Sequence, residues 1–438
     1  MPTDVSEIPE IAVPPGWDCV QLQSLADEER GISYGIVQPG QQDPNGVPVL
    51  RVNNLRDGRI LVDDVLRVGR EVEATYSRTR LQGGELLLSL VGTLGEVAVV
   101  PKQLVGWNVA RAVAVVPLKK EIDPHWVAMC LRSSGVQSLI RAWATTTVQA
   151  TLNLRDVRRL PILLAPEPDR SDIVRAVKQI DDKIEQNRRT VAKLEALARE
   201  TFRAWFVDFA PVHAKAAGAT TYPGLPPAAF AALPTTLTES PLGPIPQGWE
   251  ARPLDGVATF LNGLALQKYP PRGDETDLPV IKIAQLRKGS TDGADFANDS
   301  IGYEFKVDDR DLLFSWSGTL EAVFWFGGPG ALNQHLFKVT SDRFPAWLVF
   351  EWIHQHLDEF RLIASSKATT MGHIRRSHLK EAVVAVPPAA WLQLADAAIR
   401  PLYDLHASLN LESRKLADLR DYLLPRLLSG EVRVGVTS

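Results

Sequence analysis

The chain has 438 residues, 45% of them apolar and 23% charged, with a net charge of −4. The length is worth about three domains, and the balance is that of an ordinary globular protein. The negative total argues against a protein that coats nucleic acid non-specifically, but it leaves room for a reader with a local basic face.

The start, Met1-Pro2-Thr3-Asp4, has no basic n-region and no apolar h-region, so no signal peptide is expected. No apolar run reaches the roughly 18 residues of a membrane span. Two cysteines, Cys19 and Cys130, do not occupy matching places. They read as reduced thiols of a cytoplasmic protein, not as a disulfide framework.

From there the chain says nearly everything twice. Short apolar runs broken by Gly, Pro, Asn and Asp read as strands of a mixed sheet: Val47 to Val52, Glu85 to Leu90 and Val97 to Val100. Their counterparts are Pro279 to Ile283, Asp311 to Trp316 and Ala322 to Phe326. Pro15-Gly16-Trp17 returns as Gln247-Gly248-Trp249, Ser89-Leu90-Val91-Gly92-Thr93-Leu94 as Ser315-Trp316-Ser317-Gly318-Thr319-Leu320, and Lys193-Leu194-Glu195-Ala196-Leu197 as Lys415-Leu416-Ala417-Asp418-Leu419. The offsets stay between 221 and 232 residues along the chain, which marks a tandem duplication with small indels. Each copy also carries a helical stretch opened by proline, Pro124 to Trp143 and Pro345 to Ser365. Each globular part therefore reads as mixed α/β, or α+β. A doubled chain offers two similar surfaces, which suits a two-part target better than one small substrate.

Each copy ends in a long amphipathic stretch. Ile173, Val177, Ile180, Ile184, Asn187, Val191, Leu194, Ala198, Thr201 and Trp205 keep a 4-3 heptad spacing. Ser171-Asp172 is the expected N-cap. From Ser171 to Phe206 the helix would be about 54 Å long. In the second copy Ala395, Ile399, Leu402, Leu409, Leu416, Leu423 and Leu427 hold the same phase, with His406, Ser413 and Arg420 interrupting it. Pro401 should kink this helix or mark where its regular part begins. One seam cannot bury itself. Either each helix packs on its own globular part, or the two pair as an antiparallel coiled coil with Asn187 helping to fix register. Between the copies, Pro211 to Ser240 is rich in Ala, Pro, Thr and Gly, and reads as an extended surface linker.

The common catalytic signatures are missing. There is no Gly-x-x-x-x-Gly-Lys-Ser/Thr loop, His-Glu-x-x-His, paired Cys-x-x-Cys or Gly-x-Ser-x-Gly. There is also no Asn/Asp-Pro-Pro-Phe/Tyr of the amino-methyltransferase kind. His354, His356, Asp358 and Glu359 are the densest cluster of possible catalytic residues. His354 and Asp358 would share a helix face, either as a metal or hydrolase site or as a solvated surface. His335, in Asn333-Gln334-His335, has no candidate nucleophile beside it in sequence.

Polar loops follow the short helices. Thr146, Thr147, Gln149 and Asn153 lie in the first, and Thr369, Thr370, His373, Arg375 and Arg376 in the second. Asn or Gln can bond an adenine edge bidentately and Arg a guanine edge, so these loops are candidates for base contact as well as plain surface turns. Ser33 and Tyr34 in the first copy, and Gln267, Lys268 and Tyr269 in the second, suit phosphate or groove contacts. Thr93 and Thr319 sit in Gly-Thr loops that could do the same, or could be ordinary turns.

With these motifs in hand the chain resembles the DNA specificity subunits of type I restriction–modification systems. The likeness rests on Leu197 to Val212, on the Pro-x-Gly-Trp starts, on Arg30 to Gly40, and on the ending Leu423 to Val432. It implies a target recognition domain at 1–168, a long helix at 169–210, the linker at 211–240, a second recognition domain at 241–388, a second long helix at 389–430 and a tail at 431–438. Each domain would read half of a bipartite site on double-stranded DNA, with the paired helices setting the spacing. The resemblance further implies a subunit without activity of its own. It would carry two methyltransferase subunits, which use S-adenosylmethionine to modify adenine, and it could recruit two restriction subunits that use ATP and Mg. The apolar surface near Phe202, Trp205, Phe206 and Phe209 would then be either core or part of the face that meets the methyltransferases. A coiled-coil scaffold that never touches DNA, or a hydrolase at His354 and Asp358, are the competing readings.

Overall fold

The computed structural model describes residues 12–144, 150–366 and 372–434. The chain divides into two compact units, Met1–Asp182 with Ala417–Ser438, and Lys183–Leu416. Both long helices therefore contribute residues to both units.

In the first unit, strands Ser33–Tyr34, Val113–Val116, Leu86–Ser89 and Val97–Val99 lie side by side in that order, all antiparallel. The run Leu86–Ser89 is buried throughout because both faces of this sheet are covered. Alternate side chains point opposite ways along a strand. Leu86 and Leu88 pack with Trp126, Val127 and Cys130 of the helix Pro124–Arg132, while Leu87 packs with Leu50, Val113 and Val115 on the other side. A second layer pairs Gln42–Leu50 in parallel with Asn108–Val109. The expected helix Pro124 to Trp143 is two, Pro124–Arg132 and Ser134–Trp143. Ser133 divides them: its Oγ donates to Cys130 O at 2.7 Å and accepts from Val136 N at 3.4 Å, ending one helix and capping the next. Burial pushes the Cys130 thiol up to about 12.

The second unit repeats the plan. Thr259–Asn262, Leu336–Thr340, Leu312–Ser315 and Ala322–Phe324 form the equivalent antiparallel sheet in the equivalent order. Leu278–Ile281 again pairs in parallel, with Gly330–Leu332. The covering helix is one piece, Ala346–Ser366. Linear order, strand direction and the one parallel pair all recur, so the duplication is one of fold as well as of sequence.

The stretch 211–240 is not an extended surface linker. It forms helices Ala210–Ala216 and Pro227–Ala231, and Val212, Leu225, Ala229, Phe230 and Leu233 join the main core of the second unit. The segment is nearly free of charge, which is what lets it pack. Trp391 Nε1 donates to Ala229 O at 3.0 Å across that contact.

The first long helix spans Glu167–Phe202 and begins before the expected cap at Ser171-Asp172. Glu167 and Asp169 lie in the first turn, where a helix favours negative charge, and Ser171 Oγ donates to the Glu167 carboxylate at 3.0 Å from inside the helix. The second runs unbroken through Pro401, from Ala389 to Leu428, and neither starts nor stops at the proline. Pro401 faces solvent, while Ala395 and Ile399 before it and His406 and Ala407 after it are buried. Packing on both sides offsets the missing backbone donor.

The helices pair as well as packing on the globular parts. In the second unit Asn187 Nδ2 donates to Glu412 Oε2 at 2.7 Å, and His406 Nε2 lies 2.9 Å from Glu195 Oε1. Numbers rise on one helix as they fall on the other, which is antiparallel. In the first unit Arg420 Nη1 donates to Asp181 Oδ1 at 2.9 Å, and Leu424, Leu427 and Leu428 pack with Ile173, Val174 and Val177. Ile184 and Asn187 are buried, and Ile180, Val191, Leu194, Leu402, Leu409, Leu416 and Leu423 are half-buried. His406 and Arg420, which interrupt the apolar pattern, are thus cross-helix partners. No described helix is long and apolar enough to cross a membrane.

Candidate nucleic-acid interface

At the edge of the second unit's main sheet, four segments meet. Ser317 forms a β-bridge to His373, and Leu264 bridges Asn333 in parallel. Gly318 N donates to Gly372 O at 2.8 Å and Ile374 N to Trp316 O at 2.9 Å. The segment before the helix Arg376–Glu381 is thereby tied to the turn Ser315–Leu320.

Several polar side chains gather there. Trp316 Nε1 donates to Asn262 Oδ1 at 2.9 Å and to Gln334 O at 3.2 Å. His335 Nδ1 lies 3.0 Å from Ser317 Oγ, and its Nε2 lies 3.4 Å from Gln334 Nε2. Both contacts are met when the ring is neutral with its proton on Nδ1, so that Ser317 Oγ accepts and Gln334 donates. The Trp316 ring lies 5.9 Å from that of His335 and 6.2 Å from that of His373. Arg375 and Arg376 are exposed beside this corner, and Arg376 reaches back to Phe260 O at 3.2 Å. The result is a rim of amide, imidazole, indole, hydroxyl and guanidinium groups over an apolar sheet. Such groups can read base edges and hold phosphates.

The first unit builds the same corner. Val91 bridges Thr151, Ile36 bridges Ala110 in parallel, and Leu152 N donates to Leu90 O at 2.9 Å. The exposed Tyr34 accepts from Leu154 N at 3.4 Å, and Arg158 reaches back to Ile32 O at 3.1 Å. The loops carrying Ser33, Tyr34, Thr93 and Asn153 are thus brought together. Asn153 also has a local task, since its Oδ1 caps the helix Leu154–Arg159 by accepting from Asp156 N at 3.0 Å.

Thr93 and Thr319 sit at the tips of equivalent turns, the first one residue longer. Ser89 Oγ donates to Thr93 O and accepts from Glu96 N at 2.8 Å; Ser315 Oγ donates to Thr319 O at 2.6 Å and accepts from Glu321 N at 2.8 Å. Both threonines are exposed. Gln267, Lys268 and Tyr269 make none of these contacts; they sit on the short turn that follows Leu264, whose Leu266 and Tyr269 pack with Val280, Ala297 and Ala331 of the second sheet. Thr146, Thr147, Gln149, Thr369 and Thr370 fall outside the described residues. Sequence reading placed Asn262 only in the loop that runs to Tyr269, passed over Trp316, Ser317 and Gln334 as contacts, and set His335 aside for lack of a neighbouring nucleophile. The signal was the register: Ser315 opposes Leu336, which brings Trp316 beside Gln334 and His335.

Two open alternatives are settled by burial and contacts. Phe202, Trp205, Phe206 and Phe209 are core, none more than 8% exposed, the commoner of the two readings for such aromatics. One π-helical turn, Arg203–Val207, carries the helix end into that core. Phe206 has Trp249, Trp347 and Trp391 within 5.9 Å, and Phe202 stacks on it at 5.2 Å. His354 and Asp358 do not converge on a site. The half-buried His354 ring has its Nδ1 3.0 Å from Phe350 O, while Asp358 is exposed and pairs with Arg361 at 2.9 Å. Desolvation lowers the His354 pKa to about 4.

One scaffold is folded twice, with a polar corner at the same place in each copy. A model described as the type I restriction modification DNA specificity domain matches residues 246–416. The type I restriction enzyme EcoBI specificity subunit of Escherichia coli is 28% identical over 172 residues, 39% of this chain and 36% of that protein. This chain thus aligns with only about a third of that relative's length. A putative type I restriction enzyme specificity subunit of Methanocaldococcus jannaschii, MjaX, is 20% identical over 99% of this chain and 96% of its own. The crystal structure of a type I restriction–modification S subunit from M. genitalium shares the fold, with a TM-score of 0.50 and 14% identity over 96% of this chain and 97% of that one. Residues 246–416 thus carry the match to this domain, and the relatives and the solved structure named here are all type I specificity subunits.

Proposed function

We propose that this chain is the sequence-reading subunit of a type I restriction–modification complex. Residues 1–168 and 241–388 act as two target recognition domains, each reading half of a bipartite site in double-stranded DNA. The long helices act as the spacer. The observation that carries this is the repeated corner: the same strand order, bridges and turn in both units, each rimmed by side chains able to bond base edges. The chain has no catalytic task of its own. Two methyltransferase subunits supply adenine methylation with S-adenosylmethionine, and restriction subunits, where present, supply ATP-driven cleavage. The complex works in the cytoplasm, where its DNA is.

The modest negative charge is compatible with this division of labour, because partner subunits can supply much of the phosphate grip while this chain reads bases. The test is a gel shift of the chain with its methyltransferase partner, using duplexes recovered from a methyladenine map of a host expressing both. A bipartite motif, and a shift that mutation of either half-site abolishes, is the expected result. A complex that assembles but methylates no bipartite motif and shifts no duplex refutes the proposal.

A further inference from the structure

The duplication supplies an internal comparison. Whatever the fold requires should recur in both copies, and much does. Ser89 and Ser315 brace equivalent turns, each by donating to the threonine carbonyl and accepting from the glutamate N–H. Gly92 and Gly318 take positive φ at its tip. Gly35 and Gly263 lie where an added Cβ would collide with a carbonyl oxygen of the neighbouring strand, that of Val109 in one unit and Asn333 in the other.

The corner side chains do the opposite. Strand register and bridges put Tyr34 where the second unit has Asn262, Leu90 for Trp316, and Val91 for Ser317. They likewise put Arg111 for Gln334, Ala112 for His335 and Thr151 for His373. All six differ. The first copy closes the same bridges with Leu, Val and Ala, so the indole–amide–imidazole network of the second is not needed to build the corner. A partly buried polar network that its own duplicate folds without calls for another explanation.

We propose that this network sets the base preference of the second recognition domain, with Asn262 meeting the base edge and Trp316 positioning it. This rests on the DNA-reading function proposed above. The indole N–H holds Asn262 Oδ1 at 2.9 Å, which fixes the amide's orientation. Nδ2 donates one proton to Gly263 O at 3.4 Å and keeps the other, and Oδ1 keeps a second lone pair, so one donor and one acceptor remain for the N6/N7 edge of adenine. Ser317 and His335 form a second linked pair beside it. The equivalent positions of the first unit, with Tyr34 and Arg111, read a different half-site from the same scaffold.

The experiment uses the intact complex and its methyladenine map on the chromosome of an expression host. Trp316→Phe keeps a ring and loses the donor; Asn262→Ala and His335→Ala remove the amide and the imidazole. Each should relax one or two positions of a single half-site, raising acceptance of other bases about 5- to 150-fold, the range of one good base contact. The other half-site should stay unchanged, which also shows that the complex is folded. Tyr34→Ala should relax the opposite half. A motif identical to wild type in Trp316→Phe and Asn262→Ala, or methylation lost without relaxation in both, overturns the inference. If the wild-type complex itself gives no bipartite motif, the failure lies with the proposed function instead.

Discussion

Asp181 is met by two guanidiniums in the first unit, Arg420 from the second long helix at 2.9 Å and Arg132 from the globular part at 4.0 Å. Its side chain is 35% exposed, and those of Arg420 and Arg132 are 25% and 28%. Asp181→Asn keeps the shape and removes the charge that both arginines share. Exposed ion pairs contribute roughly 0.2–1 kcal/mol, and breaking a buried pair costs roughly 3–5 kcal/mol. A group about a third exposed lies between, so a loss of about 1–2.5 kcal/mol is expected. Hydrogen exchange by mass spectrometry reads this locally and does not need two-state unfolding of the whole chain. Peptides covering 174–182 and 417–424 should open about 5- to 70-fold more often, while strand Leu86–Ser89 keeps its protection. Arg420→Met should cost a similar amount, and the double variant less than the sum by about 1 kcal/mol or more. Unchanged protection, or costs that add within about 0.5 kcal/mol, would show that Arg420 is a solvated interruption of the seam and no pin.

Seven residues inserted in both helices, after Asp182 and after Leu416, should lengthen the pair by about 10 Å, or about three base pairs of DNA. A methylation map should then show a longer spacer between unchanged half-sites; a changed half-site with the old spacer refutes the helical ruler. Phe206→Ala removes the hub of an aromatic cluster and should destabilise the second unit by about 3–5 kcal/mol, lowering its melting temperature; full stability with loss of methyltransferase binding would restore the interface reading. His354 stays neutral in the folded state down to about pH 4, whereas its ordinary value is 6.5. The unfolded chain therefore takes up the proton first, and stability should fall as pH drops from 6.5 towards 4, by up to about 3 kcal/mol, with His354→Gln removing that dependence. A midpoint near 6.5 for this ring in an NMR titration would contradict the burial argument.

The fold was legible where local pattern and tertiary demand agree. The apolar runs around Leu87 and Leu313 become central strands because both their faces are covered, and the heptad from Ile173 to Leu194 becomes a paired helix. It was illegible where packing overrides composition. Residues 211–240 look like a solvated joint, yet Phe230 and Leu233 are core. Pro401 reads as a break, yet the buried residues on either side of it carry the helix through. The candidate site was half legible. Tyr34, Thr93, His373, Arg375 and Arg376 were found from residue type and spacing, and the structure brings their loops to the two corners. Trp316 and Ser317 were absorbed into a strand and a turn in the reading, because only the pairing of Ser315 with Leu336 brings them beside Gln334 and His335.

The polar residues of the helix pair and of the corners obey one physical rule with opposite consequences. A half-buried polar group needs a partner, or it costs about 1–3 kcal/mol. In the helices the partners lie across the seam: Glu412 for Asn187, Glu195 for His406, Asp181 for Arg420. These bonds consume the groups that make them and specify one antiparallel register. At the second unit's corner the Trp316 indole fixes Asn262 Oδ1 and Ser317 Oγ meets His335 Nδ1, each bond using one of the several donors or acceptors these groups carry. The capacity left in the amide and the hydroxyl is what a base edge can complete. A closed polar network fixes structure; a network left open on one side, in a scaffold whose twin does without it, is suited to recognition.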